Sequence, residues 1–188
     1  ATDIVGYSKH MEADESETVK NLRACEKILT KLFKKHGGSL FNTGGDSFLA
    51  EFPSAVGAVE CAVEFQNQIK TRNASDKTTV PLKFRIGVNS GDVIKEKGNL
   101  LGDGVNIAAR LEALAQTGGV TISKGVYDYV KGKTKHEYND LGIQKVKQNE
   151  FHAYDLLLDP SQKRKLKTQK SNMPLIGVIT VVLSIGLV

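Results

Sequence analysis

Residues 39–52 read SLFNTGGDSFLAEF, two short strand patterns, Ser39–Asn42 and Ser47–Phe52, joined by Thr43-Gly44-Gly45-Asp46. Short apolar runs on either side of paired glycines predict a β-hairpin, because glycine enters the left-handed turn region without a Cβ clash. A hairpin pairs its strands antiparallel, so a purely parallel sheet is excluded for the whole chain.

Working outwards, the N-terminal side offers a strand at residues 1–7 and a long helix from about Ser16 to Lys35, closed by His36-Gly37-Gly38. On the C-terminal side Ser54 caps a second long helix, in which Val56, Val59, Ala62, Val63 and Ile69 recur at helical spacing. A polar loop is expected at Thr71–Thr79, then an alternating strand, LKFRIGVN, at Leu82–Asn89. Val93–Lys95 reads as a returning strand, Lys97–Gly104 as a loop and Val105–Ala115 as a helix. A strand at Val120–Ser123, a short helix at Lys124–Lys131 and strands near Gly142–Lys147 and Phe151–Leu157 complete the pattern. Helices interleaved with hairpins predict an α/β (α+β) sandwich whose mixed, largely antiparallel sheet is flanked by helices.

The chain has 188 residues, of which 40% are hydrophobic and 25% charged, enough for one core. Its formal charge of +5 is not spread over that core. All 21 acidic residues lie before residue 161, where they balance the Lys and Arg; the excess is Lys163, Arg164, Lys165, Lys167 and Lys170. A neutral domain with a basic tail argues against a nucleic-acid-binding face. The tail leads into Met173–Val188, MPLIGVITVVLSIGLV, which carries no charge. That run is short of the ~20 residues of a full span, and it is expected to be the start of a transmembrane helix. Basic residues beside a span favour the cytoplasmic side. The expected organisation is therefore a folded domain at 1–158, a basic juxtamembrane linker at 159–172 and the span at 173–188, tethering a cytoplasmic domain to the inner or plasma membrane. The abrupt opening in ATDIVGY suggests a strand that begins upstream. Cys25 and Cys61 fall in helical segments without metal spacing and are expected to be reduced core residues.

Two groups of residues carry chemistry. Asp3, at a strand end, and Asp46, at the hairpin tip, are two carboxylates that can converge on a hard divalent cation, with the backbone carbonyl of Ile4 as a third oxygen. Asp in a Gly-Gly turn is also a common turn former, so the pair alone does not decide between the roles. In GDGVNIAAR, residues 102–110, Asn106 and Arg110 stand four apart and share a helix face near its N-terminus. An amide, a guanidinium and free backbone N–H groups suit phosphate; an Arg paired with a carboxylate and a capping Asn would need no ligand.

TDIVGYS, NTGGDSFLAEF, FRIGVNSGDV, GDGVNIAAR and a closing lysine-bearing strand pair, in that order, resemble the catalytic domain of class III adenylyl and guanylyl cyclases over residues 1–157. The resemblance implies a ferredoxin-like, palm-type sandwich and conversion of ATP to 3′,5′-cyclic AMP and pyrophosphate for intracellular signalling. It further implies that Asp3 and Asp46 bind two Mg²⁺ or Mn²⁺ ions, that Asn106 orients the ribose and that Arg110 stabilises charge at the α-phosphate. A homodimer is implied as well, with metal ligands from one subunit and the Asn/Arg helix from its partner. Lys147, or less well Lys145, would meet the triphosphate.

The sequence departs from the family at the base-reading positions. Adenylyl cyclases usually have lysine and aspartate there, and guanylyl cyclases glutamate and a smaller residue; here Asn42 and Asn99 correspond. An amide pairs with an adenine edge without excluding guanine, so ATP is favoured and guanylyl cyclase activity stays open. No arginine lies in Asp92–Asn99, where relatives have a longer arm with a phosphate-contacting one; Lys95 or Lys97 could substitute as a point charge. Two other functions stay open: a catalytically silent nucleotide-binding or dimerisation module, and, ranked below, a diguanylate cyclase, whose signature turn Gly44–Phe48 resembles.

Overall fold

The computed structural model describes residues 1–75, 80–96, 99–146 and 149–165. The apolar stretch 173–188, Lys97 and Lys147 therefore lie outside the described residues. Among the described residues, no helix is long and apolar enough to cross a membrane.

The described residues form nine strands and five α-helices, which alternate as expected apart from the helix Tyr7–Ala13 and the strand Asn99–Leu101. They are β1 (Thr2–Ile4), α1 (Tyr7–Ala13), α2 (Glu15–His36), β2 (Ser39–Gly44), β3 (Ser47–Glu51), α3 (Ala55–Ser75), β4 (Phe84–Val88), β5 (Ile94–Glu96), β6 (Asn99–Leu101), α4 (Asp103–Leu114), β7 (Val120–Ser123), α5 (Lys124–Val130), β8 (Glu137–Val146) and β9 (Asn149–Leu157). The main sheet has the order β2-β3-β1-β4-β7-β9-β8, and only β4 and β7 run parallel. The mixed, mainly antiparallel sheet expected from the hairpin is what forms.

Strand alternation sorts the side chains onto two faces. Ile4, Phe48, Phe84, Ile86, Val120, Ile122, Tyr154 and Leu156 point one way, into the large core beneath α2, α3 and α5. There Phe65 of α3 meets Phe84 edge-on at 4.9 Å between ring centroids. Both cysteines are buried, unpaired members of this core, as expected, and burial pushes the Cys61 thiol up to about 12. Gln66 of α3 is buried among them and donates to the carbonyls of Phe84 and Gly119, so its amide pins α3 to the sheet. The other face carries Asp3, Arg85, Gly87, Thr121 and Asp155, the alternate residues of the same strands. Among the described helices, α4 is the one that covers it, over a small apolar patch of Leu111, Leu141, Phe151 and Ala153.

Four local expectations are corrected. The first strand ends at Ile4, and Gly6, at φ +70°, turns the chain into α1. The Thr71–Thr79 loop starts later, because α3 runs to Ser75, where Arg72 and Asn73 bond Asn21 and the Leu82 carbonyl. The Lys97–Gly104 loop contains β6, which pairs with β5 as a separate two-stranded ribbon. Finally, β8 begins at Glu137 and passes a register shift between Asp140 and Gly142, where the Asp140 carboxylate accepts from the Gly142 N–H.

Candidate active site

The Asp3 and Asp46 carboxylates are brought together by strand register. Gly44 pairs with Ser47, which leaves Gly45-Asp46 as a two-residue turn with Gly45 at φ +68°. Ser47 is in turn the cross-strand partner of Asp3, so Asp46 hangs beside it at the same end of the sheet. Ile4, next along β1, is buried in the core.

Arg85 and Glu112 join this acidic pair, and neither was singled out from sequence. Arg85 is the β4 partner of Asp3, and its Nη2 donates to Asp3 Oδ2 at 2.6 Å. Its Nε lies 3.3 Å from Glu112 Oε1 of α4. Burial and the negative charge of Asp3, with a smaller push from Asp46, hold the Glu112 carboxyl above its ordinary value, and Arg85 opposes this only in part. An arginine in an alternating strand gives no sign of its partner until strand order is known. The only sequence signal for Glu112 is its place in the run after Arg110.

Helix α4 crosses β4 at Gly87, where a Cβ would come within 2.2 Å of both the Ala108 carbonyl oxygen and the Glu112 nitrogen. Its two sides then differ. Glu112 faces the acidic pair, while Asn106 and Arg110, about 120° and 160° away around a helix at ~100° per residue, face elsewhere. Asn106 is exposed, and among the described residues its side chain makes no hydrogen bond. Arg110 Nη1 is buried without a hydrogen-bond partner. The structure thus unites Asp3 and Asp46 and keeps Asn106 and Arg110 together on another side of α4.

The remaining candidates are less completely described. Asn42 lies in β2 opposite Leu49, and Asn99 in β6 opposite Glu96, but neither side chain is among those described. Lys145 is an exposed partner of Glu150 at 3.3 Å across the β8–β9 hairpin. Lys95 is engaged by Glu51 and by the ring of Phe41, 5.2 Å from the ring centroid, which leaves it an arm residue rather than a free point charge.

The donor set fits a hard divalent cation in its chemistry. Asp3, Asp46 and the Ile4 carbonyl offer only oxygen, and the Asp46 carboxylate has no protein partner among the described residues. No group of three or more His, Cys, Asp or Glu side chains among them could hold a metal, so phosphate or water oxygens would have to complete such a site.

Over residues 1–158 the chain matches the adenylate and guanylate cyclase catalytic domain, and it belongs to that family. It is 45% identical over 166 residues to a Rhizobium meliloti protein named "Putative adenylate cyclase 3", covering 88% of this chain but only 28% of that relative. The crystal structure of an adenylate/guanylate cyclase/hydrolase from Silicibacter pomeroyi superposes with a TM-score of 0.73 at 34% identity, over 83% of this chain and 92% of the other. An adenylyl cyclase of P. aeruginosa shares the fold at a TM-score of 0.71 and 24% identity, over 88% and 94% of the two chains.

Proposed function

We propose that this domain converts ATP to 3′,5′-cyclic AMP and pyrophosphate, as a homodimer with two equivalent composite sites. The observation that carries this reading is the division of labour around α4. The acidic pair stands on one side, while the exposed amide of Asn106 and the half-buried Arg110, whose Nη1 has no hydrogen-bond partner, stand on another, toward which a second copy of the chain could dock.

Two Mg²⁺ or Mn²⁺ ions, when bound, would supply Lewis acidity toward the ribose 3′-hydroxyl and neutralise the triphosphate. Asp3 and Asp46, with the Ile4 carbonyl, would hold them. Asn106 of the other copy orients the ribose, and Arg110 meets the charge that develops on the α-phosphate, an interaction stronger in the transition state than in the ground state. Lys147 is the proposed triphosphate contact, and Asn42 and Asn99 the proposed base readers. Because each asparagine amide both donates and accepts, it can pair with the amino group and ring nitrogen of adenine; the name of the R. meliloti relative supports the same choice. The apolar stretch 173–188 would tether the domain to the cytoplasmic side of a membrane, through the basic residues before it.

The test is product analysis by chromatography after incubating the protein with ATP or GTP and Mn²⁺, with Asp46→Ala alongside. Cyclic AMP that vanishes in the variant supports the reading. Cyclic GMP would overturn the base assignment, and no product from a folded dimer would leave a silent nucleotide-binding module.

A further inference from the structure

The family match ends at residue 158, yet the chain beyond it returns to α4. After β9 a short 3-10 turn, Pro160–Gln162, reverses the backbone and brings Arg164 under the sheet face that carries α4. Its guanidinium binds Asp155 of β9 in a fork, Nε to Oδ2 at 2.7 Å and Nη2 to Oδ1 at 3.0 Å. Asp155 is only 3% exposed and also accepts from the Thr121 hydroxyl at 2.7 Å. The same Nη2 donates to the Leu114 carbonyl at 2.7 Å. Asn139 of β8 then fixes the strap itself, donating to the Arg164 carbonyl at 2.7 Å.

Leu114 is the last residue of α4 and stands four residues beyond Arg110, which stands four beyond Asn106. The last carbonyls of a helix have no partner within it and carry the negative end of its dipole, so a guanidinium there both satisfies and anchors the helix end. The anchor matters because the apolar patch beneath α4 is small: Leu111 is its one fully buried contribution from the helix, with Ile107 and Leu114 partly covered. A lysine at 164 could supply charge but not the planar fork that spans Asp155 and Leu114 together.

We propose that Arg164 is a positioning residue for the cyclase reaction: it straps the chain that follows the catalytic domain to the end of α4, and so sets where Asn106 and Arg110 stand. The proposal rests on the reading of those two residues as the transition-state half of a composite site. It makes the segment after residue 158 a mechanical input to catalysis, since a pull that withdraws Arg164 removes one tie from the end of the helix that bears both groups, leaving the Arg85 bonds to Glu112 and the Ala113 carbonyl to hold it.

The experiment compares the full chain with Arg164→Ala and Arg164→Lys, measuring turnover with nucleoside triphosphate and Mn²⁺, dimer content by light scattering, and hydrogen exchange of the amides around the end of α4. Arg164→Ala is expected to lower kcat about ten- to a hundredfold, as small misplacements of catalytic groups do. KM should stay within about twofold, because Arg164 bonds Asp155, the Leu114 carbonyl and Asn139 and neither Asp3 nor Asp46. Exchange at residues 111–116 should quicken, the dimer should persist, and Arg164→Lys should fall between wild type and Arg164→Ala. Unchanged kcat with quickened exchange would show a purely structural strap and overturn the proposal, as would a loss of activity matched by loss of folded dimer. Unaltered exchange would overturn the strap itself. A folded wild-type dimer that makes no cyclic nucleotide would instead sink the cyclase reading, and exchange would still report separately on the strap.

Discussion

The two faces of the main sheet are built on opposite principles. Under α2 and α3 the sheet meets an apolar core in which Phe65, Phe84, Leu82 and Val59 are fully buried and the amide of Gln66 is satisfied by two backbone carbonyls. Under α4 the same strands present Asp3, Arg85 and Asp155, and the contacts to the helix are the Arg85–Glu112 ion pair, the Arg164 bond to the Leu114 carbonyl, one bare glycine and a small apolar patch. One face supplies cohesion, which is non-directional and grows with area. The other holds charged groups whose geometry matters more than their number. Substitutions on the first face should therefore act through stability, and those on the second through rate.

The largest expected effect is on the charged face. Asp46→Ala should abolish turnover, by a factor of about a thousand or more if the carboxylate holds metal and phosphate, while the melting temperature stays within a few degrees of wild type. Parallel activity assays and calorimetry would test that split, and a variant that unfolds in step with its lost activity would erase the contrast between the faces. Phe65→Ala should do the reverse, costing about 3–5 kcal/mol of stability, as large-to-small core changes do, with near-normal turnover in the fraction that remains folded. Urea unfolding would measure it.

Gly87→Ala lies between the two. The added methyl has no room against the backbone of α4, so the helix must shift, and kcat should drop about tenfold or more with a smaller loss in stability. The smallest effect is a pH slope. Because the Glu112 carboxyl is held above its ordinary 4.5, the folded protein keeps that proton longer than the unfolded chain. Stability should then fall as pH rises from 4.5 through the raised value in metal-free protein, and Glu112→Gln should flatten that fall. Melting temperatures across that pH window would check the sign.

How far the sequence could be read differs between the faces in the same way. Apolar period and glycine punctuation are local, so the hairpin, α2, α4 and the mixed sheet were all legible. The acidic pair was legible too, because a strand end and a Gly-Gly turn mark where Asp3 and Asp46 must lie. Helix α1 was missed because it buries no residue and starts from Gly6 without a side-chain cap. The pairing of Arg85 with Asp3 depends on β1 lying next to β4, 82 residues away in the chain, which no local pattern encodes. Arg164 looked like one of five tail cations, since nothing near it in sequence shows that Asp155 is buried. Gln66 was hidden for the opposite reason, a polar residue inside an apolar helix face.

If Asp46 and Arg110 serve one site from two copies of the chain, then mixing Asp46→Ala with Arg110→Ala, each inactive alone, under conditions where subunits exchange should restore activity. A mixed dimer would hold one intact site out of two, so an equal mixture should recover about a quarter of wild-type turnover, given random pairing in a symmetric dimer. Two inactive variants that stay inactive on mixing, despite demonstrated exchange, would place both residues in a single copy's site and rule out a site shared between copies.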